Sequence, residues 1–416
     1  MKVILQTFLT RFLILGLNFG LLILTTNLWG MEGKGMISLL IADLAIVTFL
    51  NNILSGSSVS YYASKFDEIQ IVSAAYLWSL VIGFVAPLLI SLAHPVEYLG
   101  YLVALSVMFS LLSANINLFV GRNDIKNYNI YLSGQQAVHI ILILFVVYGL
   151  RMKSVDVYFM TLFLCYAVLF ILSFLRLIKT FGDRSALFSW RLFQKMFNYG
   201  WKIQISAFLQ FLNNRLSFYF LEFFRGIASV GIFAVGVAVS EAVLAISRSL
   251  SVILYSDLVS STAHDHAIEK TKISLKISFL ISSVFLLFLV AVPGFVYEFI
   301  FGKDFSQTRI IVLLLSPGIL AMAVSNIIGH YFAGINKLGI LNMKSVVGFV
   351  CTVALSLYAV PKWGIYGACT VTSLSYLFSS GLLFYYFYQR TPFSVRDFLL
   401  TKTEVRKLYS KLRQAK

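Results

Sequence analysis

Residues 98–123 read YLGYLVALSVMFSLLSANINLFVGRN, and residues 310–336 read IIVLLLSPGILAMAVSNIIGHYFAGIN. Each stretch is an apolar run long enough to cross a hydrocarbon core as a helix, which takes roughly 20 residues. Each closes with an aromatic residue, a glycine that stops a helix and an asparagine suited to a turn, at Phe119–Asn123 and at Phe332–Asn336. The two stretches therefore predict membrane-spanning helices that end in the same way at two distant places in the chain.

The rest of the chain is equally apolar. Hydrophobic residues make up 59% of the 416 positions and charged residues 12%, whereas a soluble domain carries about 25% charged residues. Helices are the expected spanning elements, because lipid offers no partner for free backbone groups and the alternation of barrel strands is absent. We predict about twelve spans, at residues 5–28, 35–61, 71–92, 98–120, 130–150, 155–177, 203–221, 231–254, 273–292, 310–332, 340–360 and 365–388. The first span is expected to stay as a signal anchor.

The two halves of the chain are related in sequence. The second and eighth predicted spans begin alike, at Gly35 and Gly231, and aligning these glycines places Asn18 on Asn214. Together with the matching helix ends, this indicates a duplication. Six helices in each half give both halves the same orientation in the membrane, which is the parallel-repeat architecture of many transporters, with the substrate path between the lobes near the midplane.

We therefore predict an all-α integral membrane protein with two pseudo-symmetric six-helix lobes and a central cavity. Residues 1–180 are the N-terminal lobe and residues 203–390 the C-terminal lobe. Segment 181–202 mixes aromatic and basic residues, and we expect it to be an amphipathic cytoplasmic helix that links the lobes. Residues 391–416 are expected to be a basic cytoplasmic tail.

The net charge of +16 is distributed unevenly along the chain. Lysines and arginines gather at alternate helix ends and in the C-terminal tail, whereas the opposite helix ends carry few of them. This asymmetry is the positive-inside pattern, and it predicts that both termini are cytoplasmic and that the charge contacts anionic membrane lipids. It is not the footprint of a nucleic-acid-binding protein.

Buried polar residues are the place to look for function, because a charge at mid-bilayer costs roughly 2.5–3.5 kcal/mol on insertion scales. The first, second, seventh and eighth predicted spans are the polar ones. Their candidate residues are Arg11 and Asn18, then Asp43 and Asn51, then Gln210, Asn213, Asn214 and Arg215, and finally Glu241 and Arg248. Such residues on corresponding helices of both lobes are what a water-filled cleft would require.

Several of these residues have structural alternatives. Arg11 is near a helix end, where its side chain could extend to the interface. Glu241 and Arg248 lie two turns apart and could form an internal ion pair, whereas Arg215 could face Glu222. Asp43 is either a proton carrier or a packing contact, and asparagines often form interhelical hydrogen bonds.

The chain carries no recognisable catalytic motif. Nucleophile elbows, zinc-protease motifs, phosphate-binding loops and paired carboxylates are all absent from its predicted loops. Cys165, Cys351 and Cys369 lie inside predicted spans and are expected to behave as small apolar residues, without a disulfide or zinc site. We therefore expect neither enzyme activity nor a cofactor or metal.

Three stretches resemble one family over essentially the whole chain. Gly231-Ile-Phe-Ala-Val-Gly-Val opens the eighth span, the paired helix ends follow the fourth and tenth, and Trp363-Gly-Ile-Tyr-Gly-Ala-Cys precedes the twelfth. These stretches resemble the polysaccharide-repeat-unit flippases (O-antigen, or Wzx, type) of the multidrug/oligosaccharidyl-lipid/polysaccharide exporter superfamily. Lys202 stands where many members place a proline.

The resemblance implies a V-shaped protein of the bacterial cytoplasmic membrane whose cationic cavity opens alternately to the two faces. It would translocate an undecaprenyl-pyrophosphate-linked oligosaccharide and would act alongside other polysaccharide-assembly proteins. The residue chemistry fits this substrate: the candidates for pyrophosphate binding are Arg11, Arg215 and Arg248, and those for sugar contacts are Asn18, Asn51, Gln210, Asn213 and Asn214. Glu241 or Asp43, from their depth in the predicted spans, would be the carrier of a coupled H⁺ or Na⁺.

Three rival functions stay open. A lipid II flippase of the same superfamily typically has two further helices. A multidrug exporter usually places an acid in the first helix, where this chain has Arg11 and Asn18. A membrane enzyme such as a polysaccharide polymerase or ligase needs a sizeable outer loop, and the longest predicted one, residues 293–309, holds at most a turn or two of helix.

Overall fold

The computed structural model describes residues 2–93, 96–179, 181, 188–260, 264–335, 337–391 and 393, and within these ranges it is helical without any strand. The helices are α1 Lys2–Ser55, α2 Ser57–Tyr62, α3 Glu68–Ala93, α4 Leu99–Gly121, α5 Ile125–Leu144, α6 Asp156–Ile178, α7 Trp190–Arg225, α8 Ile227–Ala242, α9 Leu244–Ser260, α10 His264–Ala291, α11 Gly294–Phe301, α12 Thr308–Gly334 and α13 Leu338–Arg390. A π-helical turn at Phe145–Gly149 follows α5, and a 3₁₀ turn at Lys303–Phe305 follows α11.

Two of these helices each contain two predicted spans. The backbone leaves helical geometry at Gly30 in α1, with φ 60°, and at Gly364 in α13, with φ 56°. Glycine adopts this left-handed conformation without the steric cost of a Cβ atom. The first and second spans, and likewise the eleventh and twelfth, are therefore joined by a single-residue corner.

The predicted membrane-spanning architecture is confirmed. In the described part, 8 helices are long and apolar enough to cross a membrane, and α8 together with residues Leu244–Ser251 of α9, bent by 42°, meets the same criteria as a pair. α1 and α13 each supply two of the spans. α7 occupies the place of the predicted seventh span but is not among the apolar helices, because amide and charged side chains interrupt it.

The chain divides into two compact units, Met1–Phe208 and Leu209–Lys416, and the division falls inside α7. The predicted linker 181–202 is therefore not a separate element in its described part, since α7 runs without a break from Trp190 to Arg225. No proline interrupts it, and Lys202 retains the backbone N–H that a proline would lack. Residues 182–187 and the tail from 394 onward lie outside the described residues.

The start of α7 is fixed to α1 within the first unit. Gly200 is buried where the backbone of Ile53 approaches so closely that a Cβ atom would overlap the Ile53 carbonyl oxygen. Only glycine fits such a contact. The segment predicted to lie at the interface is thus part of the packed first unit.

Backbone corners repeat at equivalent positions of the two units. Gly226, between α7 and α8, has φ 80°, and its spacing from Gly30 equals that of Gly231 from Gly35. Arg151, between α5 and α6, has φ 57° and matches Gly364 in the second unit. Most L-residues avoid this conformation, so its recurrence at matched places supports the predicted duplication.

The ends of α4 and α12 also match. Asp124 N–H donates to the Phe119 carbonyl and Lys337 N–H to the Phe332 carbonyl, both at 2.8 Å. This six-to-one bond is the mark of a Schellman helix end. The left-handed residue is Asn123, with φ 60°, and not the glycine that we expected to stop the helix.

Gly121 has a different role. It is the last residue of α4, and a Cβ atom there would overlap Ala63 and crowd the Ser60 backbone, so glycine lets α2 approach. In the second unit, Asn336 lies outside the described residues.

Candidate functional site

The polar residues of α7 in the second unit lie on one helical face. Gln210, Asn213, Asn214 and Ser217 are three or four residues apart, a spacing that returns to the same side of a helix. Serine and threonine hydroxyls of α13 meet this face through hydrogen bonds. The face predicted to contact sugars is therefore engaged in part by the protein's own polar groups.

Asn213 is buried, with 2% of its surface exposed. Its Oδ1 atom accepts hydrogen bonds from Thr352 Oγ1 at 2.9 Å and from Ser375 Oγ at 2.7 Å. A Cβ atom at Gly348 would overlap the Asn213 amide, so α13 approaches α7 closely here. This geometry favours the structural alternative for Asn213, which ties α7 to both parts of α13.

Gln210 and Asn214 form a more open pair. Gln210 Nε2 donates to Asn214 Oδ1 at 3.0 Å, and Ser345 Oγ donates to Gln210 Oε1 at 3.4 Å. Both amides are only partly buried. They retain hydrogen-bonding capacity for a polar ligand, because each amide group offers two donors and an acceptor oxygen with two lone pairs.

Arg215 forms an ion pair with Glu241. Its Nη2 atom lies 3.2 Å from Glu241 Oε2, and the side chains are 32% and 18% exposed, respectively. The guanidinium also lies over the Phe218 ring, 5.2 Å from the ring centre. The alternative partner Glu222 is not the one that Arg215 contacts.

The pairing of Glu241 with Arg248 expected as an alternative does not occur. Glu241 is near the end of α8, and the chain bends by 42° at Val243 before α9 begins. Two residues seven positions apart share a face only along a straight helix. The chain bends between these two residues, and the ion-pair partner of Glu241 is Arg215.

Arg248 and Tyr376 complete the charged group. Arg248 is exposed and forms no ion pair within the described ranges. The Tyr376 hydroxyl, fully buried on α13, interacts electrostatically with Glu241, Arg215 and Arg248. Two guanidiniums, one carboxylate and one phenol thus gather in the second unit.

Sequence reasoning missed Tyr376 and underrated Lys344. Tyr376 lies in an apolar span, and only the surrounding serines from Ser373 to Ser380 indicated a polar helix face. Lys344 belongs to the basic residues of the positive-inside pattern, but on α13 it is 7% exposed, next to Ser345. No ion pair to Lys344 occurs in the described part of the chain. A lysine inside a predicted span was the available signal.

The remaining candidates lie on α1 in the first unit. Arg11 and Asn18 are exposed, whereas Asp43 is buried and engaged by a partner. Asn51 is buried, and neither of its amide atoms has a hydrogen-bond partner in the described ranges. Their roles in binding or ion coupling stay predictions.

Metal-binding chemistry finds no support in the described residues. They contain no group of three or more His, Cys, Asp or Glu side chains that could hold an ion. Cys165, Cys351 and Cys369 are free thiols.

Sequence comparison gives one short match. No protein-family model matches the chain. A stretch of 91 residues is 28% identical to a capsular polysaccharide biosynthesis protein, CapF, of Staphylococcus aureus, and it covers 22% of this chain and 23% of that protein.

Structure comparison covers nearly the whole chain. The lipid II flippase MurJ in an inward closed conformation is similar with a TM-score of 0.77 and 13% identity, over 95% of this chain and 89% of that one. An inward-facing multidrug resistance transporter of the MATE family is similar with a TM-score of 0.70 and 13% identity, over 91% of this chain and 94% of that one. A transporter of the MOP superfamily from Pyrococcus furiosus has a TM-score of 0.62 and 13% identity, over 94% of this chain and 95% of that one. At this identity the similarity establishes the fold: the chain is a multi-pass membrane protein with the helical fold of MOP-superfamily transporters.

Proposed function

We propose that this protein is a flippase that translocates an undecaprenyl-pyrophosphate-linked oligosaccharide across the bacterial cytoplasmic membrane by alternating access. The observation that carries the proposal is the pair of arginines, Arg215 and Arg248, gathered with a single carboxylate inside a membrane-spanning unit of transporter fold. An intramembrane cation is expensive, so it is expected to meet a ligand or a partner.

The chemistry of the site suits a phosphate. Arginine offers planar, two-pronged donors that match phosphate oxygens, and it keeps its charge at every accessible pH. Arg248 has no carboxylate partner within the described ranges, and Arg215 is exposed enough to accept a second ligand. Gln210 and Asn214, on the same unit, are partly exposed amides of the kind that hydrogen-bond sugar hydroxyls.

The direction of transport follows from charge. With both termini cytoplasmic, as the positive-inside pattern predicts, an anion would move outward from an inside-negative cell. The membrane potential favours this movement by about 2.3 kcal/mol per charge per 100 mV. Coupling to an inward ion, with Glu241 or Asp43 as carrier, stays a prediction that no contact tests.

The rival functions differ in the charge that the site should carry. A multidrug exporter of cations needs an acidic excess, whereas this group has two guanidiniums for one carboxylate. Binding-site polarity varies within the fold, as the Pyrococcus furiosus transporter of reverse pocket polarity illustrates. A lipid II flippase would use the same pyrophosphate chemistry, so the sugar must separate it from the main proposal.

The test uses cells in which the gene is deleted and then replaced by variants. Arg215→Gln with Arg248→Gln should abolish surface polysaccharide and leave lipid-linked oligosaccharide on the cytoplasmic leaflet, with the protein inserted at normal levels. Arg191→Gln, an exposed arginine of the same α7, is the matched control and should keep surface polysaccharide. Normal polysaccharide in the double variant would contradict the proposal. Loss of cell-wall synthesis instead of surface polysaccharide would favour the lipid II alternative.

A further inference from the structure

The proposed function gives Arg215 two competing anionic partners. One is a phosphate of the substrate, and the other is the carboxylate of Glu241, whose Oε2 atom accepts a 3.2 Å hydrogen bond from Arg215 Nη2. Both side chains are partly exposed, so the surrounding protein does not seal the pair. A phosphate that approaches Arg215 also approaches the Glu241 carboxylate and is repelled by it, most strongly where water is excluded.

Resting on the proposed function, we infer that Glu241 is an internal stand-in for the substrate's phosphate: it neutralises Arg215 in the empty site and gives way when a phosphate binds. This role differs from that of a free ion carrier, because Glu241 acts through the guanidinium that it holds. It also explains why a site for an anion contains a carboxylate at all.

The pairing has a consequence for transport in each direction. An empty site with Arg215 paired to Glu241 carries less net charge than a lone guanidinium, and a smaller uncompensated charge lowers the penalty of exposure to lipid. A site loaded with a phosphate holds two anions against Arg215 and Arg248, unless Glu241 takes up a proton. Protonation of Glu241 and binding of a phosphate therefore favour each other, and by linkage each raises the affinity for the other to the same degree.

Because protonation of Glu241 and binding of a phosphate favour each other, the direction in which a proton on Glu241 would travel is determined. Counter-movement requires that proton and substrate exclude one another, whereas here they bind together. A proton on Glu241 therefore moves in the same direction as the substrate, and inward coupling would need a different carrier.

The charged and titratable groups around Glu241 come from several elements. Arg215 comes from α7, Arg248 from α9 and Tyr376 from α13. The helix α12 also packs on α8, but its ionisable side chains, Arg309, His330 and Tyr331, lie near its two ends. The 3₁₀ turn that packs on α8 adds Lys303 and Asp304, which are exposed.

The experiment measures binding of inorganic pyrophosphate to the purified full chain by calorimetry at pH 7.5. Glu241→Gln keeps the shape and a hydrogen-bond acceptor but removes the charge, and we expect it to bind about tenfold more tightly than the unmodified protein. Arg215→Gln should bind pyrophosphate more weakly, and the double variant with Glu241→Gln should not regain affinity. Glu298→Gln, on α11 of the same unit, changes the net charge equally and should bind like the unmodified protein.

A gain in Glu241→Gln that persists without Arg215, or that Glu298→Gln reproduces, would overturn the inference as a general charge effect. Binding that needs Arg215 but ignores Glu241→Gln would overturn it and leave the proposed function standing. Absence of pyrophosphate binding in every variant, the unmodified protein included, would overturn both.

Discussion

Trp29 donates a hydrogen bond of 2.9 Å from its indole Nε1 atom to the carbonyl oxygen of Lys153. In the second unit, Arg225 Nη2 donates in the same way to the Pro361 carbonyl at 2.6 Å. Trp29 directly precedes the left-handed Gly30, and Arg225 directly precedes the left-handed Gly226. Each unit therefore joins the corner between its first two spans to the corner between its last two, with a different side chain in the same position.

Trp29→Phe should lower the stability of the first unit. Phenylalanine keeps an aromatic ring against Tyr158, whose ring centre lies 6.1 Å from that of Trp29, but it has no N–H donor. The loss of one such hydrogen bond costs about 1 kcal/mol, and thermal unfolding in detergent should show it. Trp201→Phe is the control, since Trp201 is exposed and donates no such bond among the described residues. Equal unfolding temperatures for the two variants would contradict the prediction.

Gly364→Ala and Gly381→Ala should have opposite effects, although both residues lie in α13. Alanine at Gly364 would adopt φ 56°, a left-handed conformation that costs roughly 1–2 kcal/mol for an L-residue. Gly381 is helical with open space around it, so alanine there should stabilise the helix by about 0.5–1 kcal/mol. Unfolding temperatures measured side by side test both. A stabilised Gly364→Ala variant would show that the corner is not as described.

Asn213→Ala and Asn214→Ala separate structure from binding. Asn213 accepts bonds from two buried hydroxyls, and the loss of such bonds costs about 0.5–1.5 kcal/mol each, so its removal should destabilise the second unit. Asn214 is partly exposed and accepts one bond from Gln210, so its loss should leave the unfolding temperature nearly unchanged while surface polysaccharide falls. If Asn214→Ala unfolds at a lower temperature than Asn213→Ala, the structural role belongs to Asn214 and the prediction is wrong.

Lys344→Met should stabilise the protein. The Lys344 side chain is 7% exposed and has no ion-pair partner among the described residues, so its charge is poorly compensated. Methionine has similar length and no charge to desolvate, so the variant should gain roughly 1–3 kcal/mol, the cost of burying an unpaired polar group. Lys337→Met, at an exposed position before α13, should change stability by less than about 0.5 kcal/mol. A lower unfolding temperature for Lys344→Met would indicate a compensating anion at that site.

The fold was largely predictable because each of its determinants is local. Apolar runs of membrane-crossing length, the repeated ends at Phe119 and Phe332 and the repeated starts at Gly35 and Gly231 are read from neighbouring residues. Two details that differ have local causes too. The described end of the predicted linker, from Trp190 onward, continues into α7 because no residue there breaks the helix, and Asn123, not Gly121, takes the left-handed turn.

The site was predictable as a set of residues but not as a set of contacts. Polar side chains inside apolar helices can be recognised in the sequence as candidate functional residues, since burial of a charge is costly wherever it occurs. Which side chain meets which depends on helix geometry that sequence spacing does not record. Glu241 pairs with Arg215, 26 residues away, and not with Arg248, on the other side of the bend at Val243. The packing of α13 on α7 brings hydroxyls from 139 and 162 residues away to the Oδ1 atom of Asn213.

The amino-acid sequence alone determined that this chain is a helical membrane protein of two related halves with arginines in its spans, because hydropathy and repetition are properties of consecutive residues. Only the tertiary structure decided that Glu241 is the partner of Arg215 and that Tyr376 joins them. Ion pairs depend on distances of a few ångströms between residues far apart in the chain, and those distances exist only once the helices are packed.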